Sequence, residues 1–218
     1  MSNDLLIIYN RLYNCYGPQH WWPAETPFEV IIGAILTQSA AWTNVEKAIR
    51  NLKTAGALSP ATIRNLTTDE LARLIRPCGY YNAKAGKLKT FVSWLGHHYR
   101  DNLDTLFANG VGPLREQLLS IRGIGEETAD SIILYAAAKP VFVIDAYTRR
   151  IISRIGLLPP AAGYDTYQAY FMNNLPGDTR LFNEYHALLV NLAKQACRKQ
   201  PLCSECCLND LCQEKPQN

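Results

Sequence analysis

The sequence has few charged residues and no long apolar run. Charged side chains make up 19% of the 218 residues, against about a quarter in an average globular protein. Apolar residues still reach 48%, which excludes a disordered chain, because such chains lack the apolar surface that offsets the entropy of ordering. The apolar stretch at 30–36 is far too short to cross a bilayer. The sequence therefore predicts a globular protein of one large or two small domains, away from membranes.

An export signal is also missing. Residues 1–13 carry an early acidic residue and contain neither a basic lead nor a small-residue cleavage site. We expect the protein to remain in the cytoplasm, where structural disulfides are rare. The sequence contains no internal repeat and no low-complexity tract.

Positive charge exceeds negative charge only slightly. The net charge of +3 is too small to indicate a polyanionic partner by itself. The basic residues nevertheless form three spaced clusters, which are Lys84, Lys87 and Lys89; Arg149, Arg150 and Arg154; and Lys194, Arg198 and Lys199. Such clusters either follow a phosphate backbone or cover solvent-exposed helix faces.

Apolar residues recur at helical spacing through most of the chain. The predicted helices span residues 28–37, 44–54, 83–99, 114–120, 126–138, 146–155, 166–174 and 181–196, with a further helix start at 68–70. Asn44 is the predicted N-cap of the second of these helices. Residues 141–144 form the one plausible strand, which is too short and too isolated to build a sheet. The predicted fold class is therefore all-α.

Five of the seven cysteines lie within the last 22 residues. Four of them have the spacing C-x5-C-x2-C-x5-C and are Cys197, Cys203, Cys206 and Cys212. Four thiolates in one short loop suit either an iron–sulfur cluster or a structural zinc ion. Zinc sites usually have two separate C-x2-C pairs, so the single pair here favours a cluster. Cys207 could replace Cys206 as a ligand, and Cys15 and Cys78 are expected to be buried apolar residues.

A glycine-rich turn joins two of the predicted helices within residues 118–130, LLSIRGIGEETAD. Gly123 and Gly125 allow the backbone to turn tightly. The amides that open the next helix then face outward with the positive end of the helix dipole, and such amides can bind a phosphate group without reading base sequence. The alternative is an ordinary turn between two packed helices.

Asp145 follows the apolar residues 141–144 at the start of a predicted helix. An acid in that position is most often an N-cap. A carboxylate at an apolar boundary can also stabilise developing positive charge or activate a water molecule.

The glycine turn, Asp145 eighteen residues after Glu127, and the terminal cysteine loop together resemble the helix-hairpin-helix DNA glycosylases of the endonuclease III superfamily. The resemblance covers about residues 28–212. It implies a six-helix domain at 24–139, with the helix-hairpin-helix at about 114–138, and a second helical domain made of 1–23 and 140–218. It also implies a [4Fe–4S] cluster on the loop 197–212 and DNA in the cleft between the domains, with the target nucleotide flipped out.

Position 127 departs from the bifunctional members of that family. Those members carry a lysine there, whose amine attacks the sugar C1′ and forms a Schiff base. Glu127 cannot form that imine. We therefore expect a monofunctional hydrolase in which ionised Asp145 offsets the positive charge of the sugar and orients the attacking water.

A hydrolase without an evident proton donor suits a base that already leaves easily, such as a cationic purine alkylated at N3 or N7. Aromatic faces stabilise such a cation by ~0.5–2 kcal/mol per contact. By similarity to the 3-methyladenine branch of the superfamily, the base pocket is assigned to Trp21, Trp22, Pro23 and Trp42, with Glu127 as a further lining residue. The alternative for each tryptophan is an ordinary place in the core.

The resemblance also implies the DNA contacts. Gln38 would fill the gap left by the flipped base. The phosphate contacts would come from the hairpin and the cysteine loop, namely from Gly123, Gly125, Thr128, Arg198 and Lys199. His186 is expected to be a packed helix residue.

The sequence thus predicts a 3-methyladenine-type DNA glycosylase that acts on damaged double-stranded DNA as a monomer, in the cytoplasm with the chromosome. The second interpretation is an endonuclease III-type glycosylase and AP lyase for oxidised pyrimidines. The third, from another class, is a non-catalytic protein that binds damaged DNA and uses the cluster only as a structural element.

Overall fold

The structure, a computed structural model, describes residues 4–214. Within that range every regular element is a helix, which confirms the all-α prediction. The α-helices are α1 (Asp4–Tyr16), α2 (Pro27–Leu36), α3 (Trp42–Thr54), α4 (Pro60–Asn65), α5 (Thr68–Leu74), α6 (Tyr81–Tyr99), α7 (Leu103–Phe107), α8 (Val111–Leu119), α9 (Glu126–Ser131), α10 (Ala146–Ile155), α11 (Tyr164–Asn174) and α12 (Thr179–Gln195). Short 3₁₀ turns lie at Arg76–Cys78, Cys203–Glu205 and Asn209–Leu211. No helix in this part of the chain has both the length and the apolar character to span a membrane.

The chain divides into two compact units. One consists of Met1–Pro23 and Pro140–Asn218, and the other consists of Ala24–Lys139. The unit 24–139 contains α2 to α9, whereas the other unit contains α1 and α10 to α12. The unit made of 1–23 and 140–218 is therefore built from both ends of the chain.

Helix α2 is the buried centre of the unit 24–139. The Thr26 hydroxyl accepts the Glu29 amide at 3.1 Å, and Pro27 occupies the first helical position. Every residue from 28 to 36 is buried, because α3, α6 and the end of the hairpin helix pack around α2. The Glu29 carboxylate on this helix pairs with Lys53 Nζ at 3.0 Å.

Two helix starts differ in how well their caps could be predicted. Thr67 caps α5, and its amide donates to Glu70 Oε2 at 2.8 Å, so the predicted start at 68–70 is confirmed. The prediction of Asn44 as an N-cap is wrong, because α3 already begins at Trp42. A bond from Trp42 Nε1 to Glu46 Oε1 at 2.7 Å stabilises this first turn instead of a side-chain cap.

The helix predicted at 126–138 consists of two pieces. Helix α9 covers Glu126–Ser131 and continues as a π-helical turn at Ile132–Ala136. The wider turn packs against α2 and buries Ile132, Ile133 and Leu134. A periodic apolar pattern does not distinguish these two kinds of helix, so the sequence predicts one continuous helix here.

Residues 141–144 are buried but form no strand. Gln168 Nε2 donates to the Phe142 carbonyl at 2.8 Å, so a side chain provides the bond that a neighbouring strand would provide in a sheet. The Phe142 ring stacks on Phe171 with 3.9 Å between centroids. The segment is therefore held against α11, and it leads directly to Asp145 at the start of α10.

Helix α1, which the sequence analysis did not predict, packs against α12. Leu5, Ile8 and Leu12 form its buried face. The Tyr185 hydroxyl of α12 donates to the Leu5 carbonyl at 2.9 Å. This contact ties the N-terminal helix to the C-terminal part of the chain.

Candidate active site and cysteine loop

The hairpin between α8 and α9 depends on Gly123. Its φ of +97° lies in the left-handed region, and a Cβ on it would be 2.7 Å from Lys87 Cγ. Gly125 differs, since its φ of −99° suits any residue and a Cβ there would meet no atom within 4 Å. The turn itself therefore requires Gly123 and does not require Gly125.

Gln38 is bound to this hairpin. Its Nε2 donates to the Gly123 carbonyl at 3.1 Å and to Thr128 Oγ1 at 2.9 Å, and its Oε1 accepts from Lys87 Nζ. Gln38, Gly123 and Thr128, all predicted to contact DNA, thus lie together next to the start of α9. The insertion of Gln38 into the gap of a flipped base stays a prediction.

Trp21 and Trp22 lie in the segment between α1 and α2. The Gln19 amide ties this segment to Glu184 Oε1 of α12 at 2.7 Å. Both indoles are half-buried, with ring centroids 5.3 Å apart and planes at 64°. Lys194 Nζ lies 5.9 Å from the centroid of the Trp21 ring, so this ring already contacts a cation.

The other predicted pocket residues, Trp42 and Glu127, belong to the unit 24–139. Trp42 is half-buried at the start of α3, and Glu127 is exposed in the first turn of α9. Trp21, Trp22 and the exposed Pro23 belong to the other unit. That these five residues form one pocket stays a prediction.

Asp145 is the N-cap of α10. Its Oδ1 accepts the Thr148 amide at 2.7 Å, and its Oδ2 lies 3.6 Å from His186 Nε2. Burial by itself raises the pKa of Asp145, but the His186 imidazole and the Thr148 amide and hydroxyl outweigh it, so the pKa lies below its usual value. The carboxylate is therefore ionised at neutral pH, although its side chain is only 13% exposed.

His186 is a packed residue of α12, as expected, and its Nε2 lies beside the Asp145 carboxylate. Its helical spacing in α12 does predict burial, and the residue is 6% exposed. Its contact with Asp145, however, joins two elements that are far apart in the sequence. No motif or spacing in the chain indicates that contact.

The four predicted cluster ligands line one small cavity in the unit that contains the C-terminus. The cavity is lined by Cys197, Cys203, Cys206 and Cys212, together with Arg154, Ala196, Pro201, Asn209 and Glu214. The thiols are half-buried. Within residues 4–214, no three His, Cys, Asp or Glu side chains are grouped closely enough to hold a single metal ion.

Cys207 is not among the described residues that line that cavity. Burial and a hydrogen bond with the Cys15 thiol raise the pKa of Cys207 to about 12. The expectation that Cys15 is buried is wrong, because it is exposed near the end of α1, whereas Cys78 is buried as expected. The lining of the cavity favours Cys206 over Cys207 as the fourth ligand.

Arginines of α10 hold the cysteine loop. Arg150 donates from Nε and Nη2 to the Cys197 carbonyl at 3.0 and 2.7 Å. Arg154 Nη1 donates to Cys197 Sγ at 3.4 Å and to the Arg198 carbonyl at 2.6 Å. The guanidinium groups of both arginines are therefore bound to the cysteine loop and are not available to bind a phosphate. The side chains of Arg198 and Lys199 are exposed, as DNA contacts require.

In the basic cluster of Lys84, Lys87 and Lys89, the first side chain is buried in the core. Lys84 is 2% exposed, and its Nζ donates to the carbonyls of Leu36 at 2.9 Å and Cys78 at 2.8 Å. It thereby binds the C-terminal ends of α2 and of the 3₁₀ turn at 76–78. Burial lowers the pKa of Lys84. Lys84 is thus a core cation and not a phosphate contact.

Comparison with known proteins agrees with these features. Residues 32–176 match the family described as HhH-GPD superfamily base excision DNA repair protein, which confirms the resemblance found in the sequence. A protein of Methanocaldococcus jannaschii, named as a candidate DNA repair glycosylase, is 46% identical over 215 residues, which cover 95% of each chain.

Two solved structures are similar over most of their length. The H. pylori 3-methyladenine DNA glycosylase bound to 1,N6-ethenoadenine has a TM-score of 0.72 and 28% identity, covering 88% of this chain and 95% of that chain. A trapped endonuclease III–DNA covalent intermediate has a TM-score of 0.84 and 20% identity, covering 98% and 97%. At 20% identity, the second similarity shows a shared fold alone.

Proposed function

The chain belongs to the HhH-GPD superfamily of base excision DNA repair proteins, and from this we propose that it is a monofunctional DNA glycosylase for alkylated purines in double-stranded DNA. Its main substrate is 3-methyladenine, with 7-methylguanine as a further one. The observation that carries the proposal is the ionised Asp145 carboxylate at the start of α10. Glu127, which stands in place of a nucleophilic lysine, supports it.

The proposed reaction needs one carboxylate and no enzyme nucleophile. The C1′–N bond breaks with its electron pair leaving on the base, and positive charge develops on the sugar. A purine alkylated at N3 or N7 is cationic before cleavage, so it departs as a neutral base without receiving a proton. Asp145 stabilises the sugar cation and accepts the proton that the attacking water loses.

Aromatic side chains suit such a cationic base. The contact between Lys194 and the Trp21 ring supports this assignment, because a positive charge already lies 5.9 Å from the centroid of this indole. In the proposed site Trp21, Trp22, Pro23 and Trp42 hold the base, and the carboxylate of Glu127 adds a negative field that favours a cation. The similarity to the H. pylori 3-methyladenine DNA glycosylase supports the same substrate class.

DNA is the proposed partner, bound by a monomer. The hairpin residues Gly123, Gly125 and Thr128 hold a phosphate through the backbone, and Arg198 and Lys199 add salt-dependent contacts. Gln38 lies against this hairpin and is proposed to enter the gap left by the flipped base.

We also propose a [4Fe–4S] cluster on Cys197, Cys203, Cys206 and Cys212. The lining of the cavity supports this proposal, because it contains four thiols and no imidazole, and the Arg154 guanidinium donates to the Cys197 sulfur. The cluster supplies structural closure of the loop that carries Arg198 and Lys199, and hydrolysis requires no redox step. Metal analysis separates about four irons per chain from a single zinc ion.

A base-release assay tests the proposed function. Duplexes carrying methylated purines, ethenoadenine or an oxidised pyrimidine are incubated with the full chain, and free bases are separated by chromatography. We expect release of 3-methyladenine without a covalent adduct after borohydride treatment. Glu127→Lys serves as the matched control, since it restores an amine and should give an adduct.

Two results would overturn this assignment. Release of oxidised pyrimidines with an adduct of the unaltered chain would identify an endonuclease III-type glycosylase and lyase. Binding to damaged duplexes with no base released from any of them would identify a non-catalytic damage-binding protein.

A further inference from the structure

The two carboxylate oxygens of Asp145 have different partners. Oδ1 is held by the Thr148 amide at 2.7 Å, and Oδ2 faces His186 Nε2 at 3.6 Å. The second distance is longer than a hydrogen bond but short enough for an ion pair. The two side chains are only 13% and 8% exposed, so water screens their interaction weakly.

The arginines that follow Asp145 on α10 are directed elsewhere. Arg149 Nη2 donates to the Ala162 carbonyl at 2.7 Å. Arg150 donates to the Cys197 carbonyl at 2.7 and 3.0 Å. Neither guanidinium is therefore the partner that faces Oδ2.

The tyrosines packed around this segment also have other partners. The Tyr185 hydroxyl donates to the Leu5 carbonyl at 2.9 Å, and the Tyr164 hydroxyl accepts the Ile144 amide at 3.3 Å. His186 of α12, in contrast, has its Nε2 within ion-pair distance of the Asp145 carboxylate.

We propose that His186 is a positioning residue of the glycosylase reaction, whose Nε2–H is directed at Asp145 Oδ2 and keeps the carboxylate ionised and aimed at the sugar. This inference rests on the proposed function. No bond to His186 forms or breaks, and the residue acts through Asp145. The contact matters because a carboxylate stabilises the sugar cation only when it is ionised and correctly oriented.

Loss of the imidazole has a predictable direction. Asp145 keeps the Thr148 amide but loses the second group that lowers its pKa, while the burial that raises its pKa persists. The pKa of Asp145 therefore rises. Base release then declines on the acid side of the pH profile, and the freed Oδ2 also lowers the rate at neutral pH.

Three substitutions of His186 test the contact. The amide nitrogen of glutamine stands where Nε2 stands in histidine, whereas that of asparagine stands where Nδ1 stands. We expect His186→Ala and His186→Asn to release 3-methyladenine about 10-fold more slowly in single turnovers. Their acid limb should move to higher pH, because the imidazole no longer lowers the pKa of Asp145. His186→Gln should stay within about 3-fold of the unaltered chain, because it retains the donor at the position of Nε2.

Two further measurements separate positioning from folding. Melting temperature and affinity for abasic-site DNA are measured for each variant. If His186→Ala does not fold, the comparison of His186→Gln with His186→Asn still tests whether His186 positions Asp145. Equal rates and profiles in all variants, or a glutamine variant as slow as the alanine one, would overturn the inference.

A titration without substrate keeps this inference distinct from the proposed function. The carboxyl carbon of Asp145 is titrated by NMR in the absence of DNA, and its pKa should rise in His186→Ala and His186→Asn but not in His186→Gln. An unchanged titration in His186→Ala overturns the inference. An unaltered chain that releases no alkylated base overturns the proposed function instead.

Discussion

The two compact units differ in how they use a buried carboxylate. In the unit 24–139, Asp130 is 0% exposed and binds Arg115 twice, with Nε to Oδ1 at 2.8 Å and Nη2 to Oδ2 at 3.3 Å. In the other unit, Asp145 is 13% exposed and meets a backbone amide at 2.7 Å and an imidazole nitrogen at 3.6 Å. The first carboxylate uses both oxygens on one guanidinium, and the second does not.

In the proposed mechanism, this difference separates a structural acid from the acid that acts on the sugar. One guanidinium binds both oxygens of Asp130 and fixes the carboxylate, so we assign Asp130 a role in stability. An N-cap fixes one oxygen and keeps the group ionised, which leaves Asp145 able to act on a substrate. Lys84 and the cysteines of the cavity differ in the same way. Carbonyl oxygens bind the Lys84 ammonium, whereas the four cysteine side chains line a cavity.

The largest expected effect is that of Asp145→Asn on catalysis. Release of 3-methyladenine should fall by about 10²–10³-fold, because the amide carries no charge to offset that of the sugar. Affinity for abasic-site DNA should stay within about 3-fold, since the N-cap bond survives in asparagine. Single-turnover assays and binding titrations measure the two quantities. Equal release by the two proteins would remove Asp145 from the mechanism.

Asp130→Asn should show the opposite pattern. The substitution breaks a charge-assisted pair with Arg115 and should lower the free energy of unfolding by about 1–3 kcal/mol. In a chain of this size, each kcal/mol corresponds to about 2–4 °C in melting temperature. The rate of base release per folded molecule should not change. A loss of rate at unchanged stability would show that the two acids are not divided in this way.

Arg154→Ala extends the comparison to the cysteine loop. Removing the donor to Cys197 Sγ should speed the loss of iron to a chelator by about 10-fold or more, as loss of bonds to a metal ligand does. Arg149→Ala is the matched control. It also removes a guanidinium from α10, but this guanidinium binds the Ala162 carbonyl instead of Cys197. Equal retention of iron in both variants would contradict the role given to Arg154.

The smallest effect is expected at the hairpin glycines. Gly123→Ala should cost about 1–2 kcal/mol of stability, because it forces a left-handed φ on alanine and places a methyl group 2.7 Å from Lys87 Cγ. Gly125→Ala should leave stability unchanged or slightly raised, since the backbone there suits any residue. Urea unfolding curves measure both. A similar loss in the two variants would contradict the conformational argument.

The sequence predicted much of the fold, and the omissions have physical causes. The bounds of α10 agree with the pattern at 146–155, because a strong N-cap and a regular apolar spacing coincide there. Helices α4 and α7 have six and five residues, which is too short for a periodic pattern to appear. Helix α1 has apolar residues at helical spacing, namely Leu5, Ile8 and Leu12, but an N-terminal segment of this kind also resembles the apolar part of an export signal.

Residues of the candidate site could be named from the sequence where a motif marks them, whereas contacts between packed side chains could not. The turn around Gly123, Asp145 and the cysteine spacing all stand in short stretches of sequence. The partners of these groups come from distant elements, as His186 does for Asp145. Lys84 shows the same limit, because only the arrangement of α2 and α6 reveals that a charged side chain lies in the core.

Lys87 connects two features of the hairpin that the sequence presents separately. Its stem occupies the space where residue 123 would carry a Cβ, and its ammonium binds Gln38. A Cβ at 123 would displace this stem, and Gln38 could then lose one of the three bonds that hold it, the one from Lys87, while keeping those to Gly123 and Thr128. The three positions should therefore be epistatic, with substitution effects that do not add. A mutant library meant to retune this surface should therefore vary residues 38, 87 and 123 together.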